Sequence, residues 1–120
     1  MDETLESDLE PIERRGDLRG YVYGVEIELA EGVVKPVVEA GKLGMFVQLD
    51  EPESYKLRDA HSVVITCGEI RIRCKVRVVR KEVEPRTGIA LHITQISPDA
   101  EFDWRKIITE AQKDVGTPEP

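Results

Sequence analysis

The alternation of apolar and polar positions is clearest along residues 70–79. Ile70, Ile72, Cys74, Val76 and Val78 alternate with Arg71, Arg73, Lys75, Arg77 and Val79. Successive side chains of a strand point to opposite faces, so this segment predicts a long strand with a core face and a basic stripe. Val22, Val25, Ile27 and Leu29, with Glu26 and Glu28 turned away, predict a half-buried strand over residues 21–29. Residues 33–38 read as a second strand in which Pro36, having no N–H, predicts an edge or a bulge. A third strand falls at 45–49, a fourth at 61–66 and a sixth around Ile89, Leu91 and Ile93. Turn signals separate them: Glu31-Gly32, Glu39-Ala40-Gly41-Lys42-Leu43-Gly44, a polar excursion over 50–61, Cys67-Gly68 and Glu84-Pro85-Arg86-Thr87-Gly88.

The period changes after Ser97-Pro98-Asp99, which has the form of a helix start: an N-cap serine, proline at the first helical position and an acid in the first turn. Ala100, Trp104, Ile107, Ile108 and Ala111 then recur at helical spacing, a stripe made to lie on the rest of the domain or on a partner. The helix fades by Val115-Gly116. Six short strands and one late helix predict a mainly β fold, a small six-stranded antiparallel barrel closed so that few edges remain, with a C-terminal α-helix.

Composition adds limits. A chain of 120 residues is one domain with one modest core. The net charge of −7 is unevenly spread: residues 1–13 carry six acids and no base, and residues 96–120 carry six acids and three bases. Between them, residues 14–95 hold fourteen Lys and Arg against twelve Asp and Glu, so the central domain is slightly basic and can host an anion. Residues 1–13 read as an acidic disordered tail, 14–113 as the barrel with its helix, and 114–120 as a frayed end.

No apolar run approaches the ~18 residues of a membrane span, and the opening residues lack the basic and apolar regions of a signal peptide. The expectation is a cytoplasmic protein away from the membrane. Cys67 and Cys74, two thiols without a signal peptide, argue for a reducing compartment and against a disulfide scaffold, and zinc needs more ligands at tighter spacing than these and His61 and His92 supply. No nucleophile motif occurs and neither histidine has an acid–base partner in the sequence, so no enzyme, catalytic residue, metal or cofactor is expected. The basic stripe invites a nucleic-acid reading, but single-strand binding also needs exposed aromatic rings. The six aromatic residues are few, several sit in core-like positions, and Glu69 and Glu82 bracket the stripe. Nucleic acid is therefore not expected as a partner.

The densest candidate chemistry lies just before the first strand, in Glu13-Arg14-Arg15-Gly16-Asp17-Leu18-Arg19. Guanidinium groups are permanently charged, bond anionic oxygens in pairs and stack on planar rings. A flexible arginine segment suits an anion that also carries aromatic bases.

These elements together resemble the PilZ domain family. Arg15-Gly16-Asp17-Leu18-Arg19 matches its RxxxR element, and Arg14 matches the arginine that often precedes it. Its second element, [D/N]xSxxG, falls on Glu39-Ala40-Gly41-Lys42-Leu43-Gly44, before a central strand. The resemblance covers residues 13 to about 110. It implies a bacterial signalling protein that binds cyclic di-GMP through Arg14, Arg15, Arg19, Glu39, Gly41 and Gly44 and acts by docking to an unidentified partner protein. In the second element Glu39 stands for Asp or Asn and Gly41 for Ser, while Gly44 is kept. Glu39 retains an acceptor for a guanine N–H on a longer arm; Gly41 supplies no hydroxyl, a loss of about 1 kcal/mol for one neutral bond. The alternative implied by these departures is a degenerate member that does not bind cyclic di-GMP and serves as a protein–protein adaptor, its contact the apolar helix face around Trp104.

Overall fold

Six of the strands close on one another because each has a single apolar face and nowhere else to bury it. The computed structural model of the protein describes residues 20–116, with side chains as far as Ala111. Its strands are β1 (Gly20–Tyr21), β2 (Val25–Ala30), β3 (Val33–Ala40), β4 (Gly44–Gln48), β5 (Ala60–Cys67), β6 (Ile70–Glu82) and β7 (Gly88–Gln95), followed by helix α1 (Pro98–Gly116). Around the barrel the order is β3, β2, β5, β6, β7, β4, and β4 pairs back onto β3. All pairs are antiparallel. The interior is aliphatic: Ile27, Met45, Val47, Ile65, Val76, Val78, Ile89 and Leu91 are fully buried in one cluster. Each such side chain contributes roughly 1.5–3 kcal/mol through the area it removes from water.

The strand predicted over residues 21–29 is interrupted. β1 and β2 run along the same side of β3, but between Gly20↔Ala40 and Glu26↔Pro36 six steps of chain face four. The surplus is taken up at Val22-Tyr23-Gly24, where Gly24 has φ +76°, a conformation that suits glycine. Val22 still points inward and its N–H donates to the Val38 carbonyl, while Tyr21 and Tyr23 are exposed. Pairing with β4 begins only at Val37, so Pro36 lies where β3 has one neighbour, as a proline in a strand requires. The core face of β6 is as its alternation predicts, with Ile72, Cys74, Val76 and Val78 buried and Arg71, Arg73, Lys75 and Arg77 exposed. Burial pushes the Cys74 thiol up to about 11, so it stays protonated as a packing residue. Among the described residues no group of three or more His, Cys, Asp or Glu is placed to hold a metal ion, and no helix is long and apolar enough to cross a membrane.

The Ser97 hydroxyl accepts from the Ala100 N–H at 3.2 Å and caps α1. Trp104, Ile107 and Ala111 are buried in the same cluster as the strands. The apolar helix stripe is therefore spent on the barrel; of its large apolar side chains Phe102 stays exposed. The indole N–H of Trp104 donates to the carbonyls of Gly41 at 3.1 Å and Lys42 at 3.2 Å, tying the helix to the turn between β3 and β4. Replacing Trp104→Phe keeps an aromatic ring but strands these carbonyls. We expect a loss of roughly 1–3 kcal/mol, read as a fall of several degrees in the thermal midpoint with the far-ultraviolet spectrum preserved.

Candidate functional site

Two bulges turn charged residues outward on one side of the barrel. β3 pairs Val37↔Val47 and then Glu39↔Phe46, a register slip that leaves Val38 as an extra residue. Strict alternation from inward Val37 would aim Glu39 into the core and Ala40 out. The bulge reverses this: Ala40 is buried in the core cluster and Glu39 faces out beside Phe46. β6 slips likewise between Val78↔Leu91 and Arg80↔Ala90, so Val79 and Arg80 both emerge. One outer row then crosses four strands and ends on β1: Arg80, Ala90, Phe46, Glu39 and Tyr21.

Phe46 is fully buried yet does not belong to the interior cluster. It lies on the outside of the barrel, and two residues make that possible. Gly88 gives its ring a floor: a Cβ there would meet the backbone oxygen of Val47 and stand 2.9 Å from the ring. Arg86 provides the lid, its guanidinium carbon 3.9 Å from the ring centroid. Arg86 is held at its edge by two carboxylates, donating from Nε to Glu82 at 3.2 Å and from a terminal nitrogen to Glu39 at 3.4 Å. Glu82 also accepts two bonds from Arg80, at 3.1 and 2.7 Å. The Arg80 bond, opposed by partial burial and reinforced by Arg86, holds the Glu82 carboxyl below its ordinary value. Burial works against the charge of Arg86, but its bonds to Glu82 and Glu39 outweigh that and raise it. A cleft of about 400 Å³ opens beside the stack, lined by Phe46, Gln48, Asp50, Arg86 and Thr87 among others.

Of the residues singled out from the sequence, Arg14, Arg15 and Arg19 lie outside the described residues. The stretch expected as one loop, Glu39 to Gly44, is half strand: Glu39 and Ala40 end β3 and Gly44 begins β4, because barrel closure pairs them with Phe46, Met45 and His92. Only Gly41, Lys42 and Leu43 turn, closed by the Gly41 N–H donating to the Gly44 carbonyl at 2.9 Å. Gly41 and Gly44 are buried; Glu39 keeps about a fifth of its side chain exposed. Arg86, Glu82 and Phe46 were not singled out from the sequence. Their one signal is an apolar run, Met45-Phe46-Val47, that breaks alternation and so demands a cover for its middle ring. The aromatics are also less buried than expected, since Tyr21, Tyr23 and Phe102 are each more than 60% exposed.

No family model matches the chain, and no curated protein matches it. Among solved structures it is similar to the crystal structure of an uncharacterised Legionella protein, with a TM-score of 0.60 and 13% identity over 82% of this chain and 97% of that one. At that identity the likeness concerns the fold alone.

Two measurements check this site. Gly88→Ala forces backbone against ring, and we expect it to destabilise the domain by about 1–3 kcal/mol in urea unfolding. Because the folded pKa of Glu82 is depressed, its stabilisation is present above the ordinary carboxylate pKa and lost as pH falls through it toward the folded value. Glu82→Gln should therefore lower stability at pH 7, with the gap to the unmutated protein closing below pH ~4.5.

Proposed function

We propose that this domain binds cyclic di-GMP between its arginine segment and the outer face around Glu39, and that the ordered segment then presents a surface to a partner protein. The observation that carries this reading is the pairing of β1. Gly20, covalently joined to Arg19, is in register with Ala40, and Tyr21 with Glu39. The described residues thus begin beside the strand that carries the second element, directly after Arg19 in the sequence. Two phosphates and two guanine bases suit guanidinium groups that bond oxygens in pairs and stack on rings. Charge-assisted bonds contribute roughly 1.5–3 kcal/mol each, against about 1–2 kcal/mol for each residue of backbone ordered. Several arginine contacts must therefore form together.

A second reading is favoured by one arrangement. The carbonyls of Gly41 and Lys42 are taken by Trp104, and Glu39 is already bonded to Arg86. In that reading the turn is a structural anchor for α1 and the domain is an adaptor without a nucleotide. Its partner surface would not be the helix stripe around Trp104, which is buried.

Calorimetric titration of cyclic di-GMP separates the two. We expect saturable binding tighter than ~100 µM, about −5.5 kcal/mol, weakened at least roughly ten-fold in Arg15→Ala/Arg19→Ala, the loss of one charged contact. A flat trace with folded, unmutated protein overturns the receptor reading and leaves the adaptor.

A further inference from the structure

Resting on the receptor reading, in which Glu39 accepts from a guanine N–H, we propose that the Arg86–Phe46 stack is the platform on which that guanine base lies. Neither Arg86 nor Phe46 belongs to the arginine segment or to the second element, so this adds residues to the site.

The stack exposes the right atoms. Phe46 is fully buried, whereas a third of the Arg86 side chain is open, and one face of its flat cation is covered by the ring. Planar cations of this kind stack on nucleobases. The cleft beside it has room at about 400 Å³, and Gln48, Thr87 and Asp50 line it with an amide, a hydroxyl and a carboxylate.

The bonds around Arg86 differ in strength in a way that permits exchange. Glu82 anchors it at 3.2 Å and is itself gripped by Arg80 at 2.7 Å. The contact to Glu39 is the longest of the set at 3.4 Å, near the limit of a hydrogen bond. A base entering over Arg86 can take Glu39 without leaving the guanidinium unpaired, because Glu82 remains. Glu39, at the end of that exchange, is an acceptor-only carboxylate. Guanine presents two adjacent donors, the ring N–H and the exocyclic amino group, which match two carboxylate oxygens. Adenine presents a ring nitrogen lone pair at the same place, which a carboxylate repels. The exposed ring of Tyr21, in register with Glu39 on the other side, flanks the same edge.

The test titrates cyclic di-GMP and cyclic di-AMP separately into the unmutated protein, Arg86→Lys, Arg86→Gln and Glu39→Gln, each first shown to be folded by circular dichroism. Arg86→Lys keeps charge and stem but loses the flat fork, and Arg86→Gln is the second probe should lysine disturb the stack. We expect both to weaken both ligands roughly ten-fold, and Glu39→Gln to narrow the preference for guanine by roughly ten-fold or more. Unmutated protein that binds cyclic di-GMP, with Arg86 variants binding equally well or a preference untouched by Glu39→Gln, overturns the platform and leaves the receptor reading standing. Unmutated protein that binds neither dinucleotide overturns both.

Discussion

Closure of six strands into a ring, completed where β3 pairs with β4, is the constraint on which the other features rest. A closed sheet has no free edge along which to slip, so every strand must keep the same set of side chains inside. The buried cluster takes aliphatic side chains, Met45, the Cys74 thiol and the Trp104 indole, and no charged residue belongs to it. Charged residues that fall out of step must be re-aimed by an extra residue. Val38 and Val79 supply one each, on strands that face each other across β4 and β7.

That necessity gathers chemistry on the outside. Re-aimed Glu39 and Arg80, with Glu82 and Arg86, form a chain of alternating charge over a ring seated on Gly88. The bonds that Arg80 and Arg86 donate to Glu82, acting against its partial burial, account for its lowered carboxyl. The same closure fixes the β3–β4 turn, and Trp104 then ties that turn to α1. Barrel, turn and helix thus share one hydrogen-bonded junction, and Glu39 lies two residues before the helix anchor at Gly41.

The two functional readings differ in where they place the cost of binding. A receptor must order an arginine segment and release Glu39 from Arg86, which is affordable only if several charged contacts form at once. An adaptor leaves the Arg86 network as it stands. The long Glu39 contact beside the short Arg80–Glu82 pair is the feature that makes release physically reasonable.

The sequence alone determined the barrel and its helix. Alternation along β6, the turn glycines and the Ser97-Pro98 start are local signals, and each rests on a period that neighbouring residues express by themselves. It also singled out Glu39 as a candidate, through a motif resemblance rather than through any local rule. What it did not reveal is that Glu39 faces outward, that Phe46 is buried outside the core, or that Arg86, nearly fifty residues from Glu39, completes the cluster. Those facts were decided by register. A bulge has no distinctive composition, and the cross-strand partner of a residue is chosen only when the ring closes and one alignment buries every aliphatic face at once.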